Sequence, residues 1–208
     1  MKRNMILLLA VCLLLTMVGC NIAVTGTETV VSETQVVTLE SAKTYYADIE
    51  IADYGTVTVQ LDQSAAPVTV ANFISLAESG FYDGLTFHRI MAGFMMQGGD
   101  PKGNGTGGSD TKIVGEFAAN GHSNPISHER GVISMARRGD SYDSASSQFF
   151  IMHADAAYLD GQYAAFGRVT EGMNVVDAVC EAAEPTDNNG SIPKDAQPVI
   201  TKITIREA

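Results

Sequence analysis

Residues 87–100 read Phe87-His88-Arg89-Ile90-Met91-Ala92-Gly93-Phe94-Met95-Met96-Gln97-Gly98-Gly99-Asp100. Two short apolar runs, Thr86 to Met91 and Phe94 to Gly98, read as strands. Taken singly, the residues between them have ordinary explanations. An Arg beside a His on a strand marks a solvated face, Phe94 and Met95 suit a core, and Gln97 could satisfy a turn.

Working outward, the same kind of short strand recurs. Upstream, Tyr46 to Ile51 and Thr56 to Leu61 alternate apolar with polar residues around Asp53-Tyr54-Gly55, which predicts a hairpin. A helix follows, with Pro67 in its first turn, Val70, Phe73, Ile74 and Ala77 at helical spacing, and Gly80 ending it. Downstream, Gly131 to Ala136, Gln148 to Met152 and Ala165 to Val169 read as strands. Met173 to Ala182 predicts a second helix facing inward through Val175, Val176, Val179 and Ala183, and Val199 to Ile205 is a closing strand. Many short strands and only two helices point to a mostly β fold, a closed barrel that removes exposed edges.

The chain has 208 residues and a net charge of −11, which suits one acidic domain with tails and argues against a nucleic-acid partner. Its first residues differ from the rest. Lys2 and Arg3 precede an apolar run from Met5 to Val18, too short for a bilayer span and typical of a secretory signal. The run ends in Met17-Val18-Gly19-Cys20, which resembles the bacterial lipobox, so residues 1–19 are expected to be removed and Cys20 to carry the lipid. Of the three cysteines, only Cys180 then stays unassigned, and it reads as a small buried residue in a helix. Residues 20–43 read as a tether and residues 44–208 as the folded domain.

Three segments carry a family resemblance. The quoted stretch resembles the signature of the cyclophilins. Gly131 to Ala136 followed by Ser146-Ser147-Gln148-Phe149-Phe150-Ile151 resembles their second block, and Tyr158-Leu159-Asp160-Gly161 with Phe166-Gly167-Arg168-Val169 their third. The resemblance covers Thr44 to Glu207. It implies an eight-stranded antiparallel barrel capped by two helices, with a peptidyl-prolyl cis/trans isomerase site on its outer surface.

These residues suit that reaction chemically. Amide resonance sets a barrier of ~18 to 20 kcal/mol to X-Pro rotation, and lowering it requires no covalent step, cofactor or metal. It needs a dry grip on the proline ring and a donor that favours the twisted amide. Arg89 is the expected donor, with Phe94 and Gln97 completing the catalytic set. Met95, Phe150 and Leu159 are expected to line the pocket, Gln148 to hydrogen-bond beside Gln97, and the backbone at Ala136 and Arg137 to hold an extended substrate. Tyr158 stands where many members have Trp, which implies weak cyclosporin binding at most, and Tyr163 stands where many have a rim His.

Rival motifs carry less. Gly103 to Gly108 satisfies G-x-G-x-x-G without the flanking strand and helix of a nucleotide site. Gly139-Asp140-Ser141 and the four histidines lack any accompanying hydrolase or metal motif. The expected protein is a monomeric isomerase that acts on proline-containing segments of unfolded or flexible chains, lipid-anchored on the outer face of a bacterial membrane. The alternative is a non-catalytic proline-peptide-binding module on the same fold.

Overall fold

The computed structural model describes residues 43–208. The signal segment, the lipobox with Cys20, and residues 21–42 of the expected tether lie outside the described residues. Ten elements follow in order: β1 Tyr45–Ile51, β2 Gly55–Leu61, α1 Pro67–Glu78, β3 Thr86–Met91, β4 Met95–Asp100, β5 Val132–Met135, β6 Phe149–Met152, β7 Ala165–Glu171, α2 Met173–Ala182 and β8 Ile200–Glu207. Two single 3-10 turns, Ala118–Asn120 and Ala157–Leu159, interrupt the longer loops.

The eight strands form one antiparallel sheet in the order β3-β4-β6-β5-β7-β2-β1-β8, curled around the core. Between the outer strands β3 and β8 there is an isolated bridge, Thr86 to Val199, in place of a ladder. The expected closed barrel is therefore a curled sheet whose outer strands meet at that bridge. Proline explains part of the break, because Pro198 has no N–H to offer and contributes only its carbonyl, which accepts from Phe87 N. Element limits differ slightly from the sequence expectation. Phe94 lies in the β3–β4 turn, where its N–H bonds the Met91 carbonyl, and Val199 precedes β8.

The β1–β2 turn takes positive φ at Asp53 and Gly55, conformations that a short polar residue and glycine tolerate. The start of α1 is held from a distance. The buried Glu116 carboxylate accepts the N–H groups of Val68 and Thr69 at 3.0 and 2.8 Å, satisfying two of the free donors at the helix's positive end. The inward face of α1 is Thr69, Val70, Phe73 and Ala77; Ile74, placed on that face by spacing, is only partly buried. In α2 the buried set is Val175, Val176, Val179 and Cys180.

Strands β5 and β6 are buried along their whole length because both faces are covered. Alternation sends Phe149 and Ile151 into the main core with Met96 and Phe73, and sends Phe150 and Met152 to the other side. There they meet Met95, Val132, Leu159 and Ala165 in a second, smaller apolar cluster. That outer cluster is the floor of the candidate site.

Candidate active site

Ladder register assembles the site. Arg89 stands opposite Gln97 between β3 and β4, Gln97 opposite Phe150 between β4 and β6, and Phe150 opposite Ser134 between β6 and β5. Side chains in such a row share a face at close spacing. Arg89 and Gln97 thus border an apolar patch made by Phe150 and its neighbours.

A cavity of about 130 Å³ opens over that patch. Phe94, Met95, Phe150 and Leu159 supply apolar surface, Ala136, Arg137 and Tyr163 form a wall, and Arg89 and Gln97 form the polar rim. Its dimensions suit a small apolar ring. Larger depressions of about 600 and 770 Å³ are lined mostly by polar residues; the first lies elsewhere, and the second adjoins the site, sharing Arg89 and Gln97 with it. Two residues expected at the site do not line the cavity itself. Gln148 lies in an adjoining depression of about 560 Å³, and Tyr158, 71% exposed, stacks outside on Phe94 with ring centroids 6.0 Å apart.

Arg89 is held without a carboxylate. Its Nε donates to the Asn189 carbonyl at 2.7 Å and its Nη1 to Gln97 Oε1 at 3.2 Å, while Nη2 faces only the Met91 sulfur at 3.4 Å. Its guanidinium lies 5.9 Å from the Phe94 ring centre. Burial lowers its pKa, opposed by Tyr163, Tyr158 and Asp187, from an ordinary value so high that it stays protonated at neutral pH. Nη2 thus meets only a weak sulfur acceptor at the rim of a small apolar cavity.

Gln97 passes this order on. Its Nε2 donates to Gln148 Oε1 at 2.8 Å, and Gln148 Nε2 donates to the carbonyls of Gly107 and Gly105 at 2.7 and 3.2 Å. The glycine-rich loop is itself folded on Asp100, whose carboxylate accepts the amides of Lys102, Asn104 and Gly105. Those amides are therefore not free to cradle a phosphate. Gly99 before it must be glycine, since φ is +79° and a Cβ would sit 2.6 Å from the Ser147 carbonyl oxygen.

Sequence reasoning missed two supports. Asp187 Oδ1 accepts the amides of Asn189 and Ser191 and so presents the Asn189 carbonyl to Arg89. Asp187-Asn188-Asn189-Gly190 is recognisable as a turn, but nothing in it announces that it folds back onto β3. Behind Phe150, His128 Nδ1 lies 2.9 Å from Asp160 Oδ1 and Nε2 lies 3.1 Å from Ser134 Oγ. This is the connectivity of a serine-hydrolase triad. Ser134 is fully buried within β5 and His128 is 1% exposed, so no substrate carbonyl reaches the hydroxyl. The trio instead braces Phe150, on which the His128 ring stacks at 6.0 Å and 18°.

Fold and site together define a sheet protein with an outward-facing cavity able to seat a proline ring beside a fixed guanidinium. The cyclophilin type peptidyl-prolyl cis-trans isomerase/CLD family model matches residues 46–207, and the chain belongs to that family. It is 46% identical over 142 residues to a peptidyl-prolyl cis-trans isomerase of Helicobacter pylori, covering 67% of this chain and 83% of that protein. It is 47% identical over 131 residues to peptidyl-prolyl cis-trans isomerase B of Bacillus subtilis, covering 63% and 86%. The crystal structure of a Cryptosporidium parvum cyclophilin type isomerase, in the presence of the dipeptide Ala-Pro, matches with a TM-score of 0.68 at 28% identity, covering 77% of this chain and 98% of that one. The chain is thus a cyclophilin-type peptidyl-prolyl cis-trans isomerase.

Proposed function

We propose that this isomerase works outside the cytoplasm, anchored through a lipid on Cys20, and turns X-Pro bonds in unfolded or flexible proteins using Arg89 as its principal catalytic group. The observation that carries the catalytic part is the half-buried Arg89 guanidinium at the rim of the proline-sized cavity, with Nη2 opposite only a sulfur. The proline ring enters the apolar cavity over Phe150, Met95 and Leu159. The preceding carbonyl is then free to rotate. As the amide twists, its nitrogen loses conjugation and gains a lone pair, and an N–H of Arg89 that faces only sulfur in the planar state can donate to it. Phe94 and Met95 keep water away, which strengthens that bond.

Gln97 and Gln148 orient Arg89 and the adjoining loop, and the backbone at Ala136 and Arg137 pairs with an extended chain through groups other than the Ala136 N–H, which already bonds the Gln148 carbonyl. Tyr158 and Tyr163 shape the outer rim. Tyr158 offers a phenol where an indole N–H would suit cyclosporin, which supports weak binding of that ligand. The lipid anchor is supported by Lys2-Arg3, the apolar run and Met17 to Cys20. A pure peptide binder on this fold would need the apolar cavity but not Arg89, and the four polar and sulfur contacts around the guanidinium favour catalysis. The direct test is NMR exchange spectroscopy on a short X-Pro peptide with EDTA-treated protein. Acceleration of cis/trans exchange is expected; folded protein that binds the peptide without accelerating exchange would establish the binder.

A further inference from the structure

Arg137 is the one guanidinium among the described residues that is enclosed by three aromatic rings. Its central carbon lies 4.8 Å from the Tyr163 ring centre, 5.0 Å from Tyr142 and 5.3 Å from Phe117. Phe117 and Tyr142 meet edge to face at 5.4 Å. The fork is also used: Nε donates to the Gln162 carbonyl and Nη1 to the Arg138 carbonyl, both at 2.9 Å. Three segments with no ladder between them, around 117, 138–142 and 162–163, thus converge on one side chain. Tyr163 is a wall of the proline cavity, and Arg137 borders both that cavity and the larger one beside it.

We infer that the Arg137 side chain is a positioning residue that sets the Tyr163 wall, and with it the width of the proline cavity, by clamping the 138–142 and 162–163 loops together. This rests on the cavity being the proline site, and it assigns the side chain a task separate from the backbone pairing proposed above. Tyr163 also packs edge-on against Phe150 at 5.9 Å and against His128 at 6.4 Å, so its inner side is already supported. Arg137 supplies the outer support. Lysine cannot replace it, because an ammonium lacks the planar surface and the two fixed donors that this arrangement uses. A wall that grips the ring equally in planar and twisted states affects binding more than turnover.

The test is a double-mutant cycle of Arg137→Met and Tyr163→Leu in the full chain, with peptide affinity and exchange rate read in one NMR titration of an X-Pro peptide. Arg137→Met should weaken peptide binding about three- to tenfold while leaving the bound-state exchange rate within about twofold. Tyr163→Leu should do the same, and the double variant should lose about as much as the worse single one. Arg137→Lys should resemble Arg137→Met, and the loss should be equal for peptides carrying Glu or Gln beside the X-Pro pair. In the free protein, Arg137→Met should shift the Tyr163 ring signals. Additive losses, an unmoved Tyr163, a loss confined to Glu peptides, or a fall in exchange rate at unchanged affinity would each overturn the assignment. If Arg137→Met does not fold, the cycle is run with Arg137→Lys. A parent that binds but fails to accelerate exchange defeats the isomerase reading alone, because affinity and the Tyr163 shift still decide the role of Arg137.

Discussion

Arg89 and Gln97 face each other across the β3–β4 ladder, and the Arg89 Nη1 group donates to the Gln97 side-chain carbonyl at 3.2 Å. Gln97 is therefore a neutral acceptor that orients the guanidinium without neutralising it. Gln97→Glu would replace that acceptor with a carboxylate, pair with the charge and lose the donor to Gln148. We expect kcat/KM to fall by about tenfold or more, since charge-assisted bonds are worth about 1.5–3 kcal/mol. Exchange spectroscopy on the variant checks this, and an unchanged rate would show that Gln97 does not orient Arg89.

Stability should depend on pH through His128 and His88. Burial lowers the pKa of both, opposed at His128 by Asp160 and at His88 by Asp100. A group whose pKa is lower folded than unfolded binds more protons in the unfolded chain. Its contribution is complete above the unfolded histidine value of about 6.5 and is lost as pH falls below it. Urea midpoints should be level from pH 8 to 7 and decline from pH 6 to 5. His128→Gln should shallow that decline. A midpoint that stays level down to pH 5 would contradict the account.

Glu116 caps α1 from a loop 47 or more residues away in sequence. Glu116→Ala removes two charge-assisted bonds at the positive end of the helix and leaves the buried Thr69 donor unmet, which predicts a loss of about 2–4 kcal/mol. Glu116→Gln keeps one acceptor and should lose less. Denaturant titration separates the two variants, and equal stability of all three proteins would remove the capping role.

The anchor is tested at the N-terminus of the mature protein. Lipidation predicts that processing begins at Cys20, that the terminal peptide carries an acyl mass, and that Cys20→Ser releases the protein from the membrane fraction. Mass spectrometry of that peptide decides it. A mature terminus at any other residue would exclude the lipobox.

Much of the fold was legible because alternation and helical spacing are local properties. The β1–β2 hairpin and both helices lie within a residue or two of where Asp53-Tyr54-Gly55, Pro67 and Val175 to Val179 place them. Alternation could not say which face of β4 to β6 meets the core. Met95 and Phe150 are as apolar as Met96 and Phe149, and only the second cluster on the outer side distinguishes them. Closure of the sheet was beyond reach for a similar reason, since the junction of β3 with β8 turns on a bridge at Thr86 and Val199. The supports behind the site were also hidden. Asn189 lies 100 residues from the arginine it holds, and His128 lies 32 from Asp160, separations that no local pattern encodes.

The central claim is that Arg89 acts on the twisted amide. Phe94→Ala provides the contrast, because opening the apolar wall should weaken affinity as well as rate. The measurement is NMR exchange spectroscopy of Arg89→Ala titrated with an X-Pro peptide, which gives affinity and turnover together. Loss of a charge-assisted bond made mainly in the transition state predicts a fall in kcat/KM of roughly tenfold to a hundredfold or more, with peptide affinity much less affected. An Arg89→Ala protein that binds the peptide and turns it over as fast as the parent would contradict that claim.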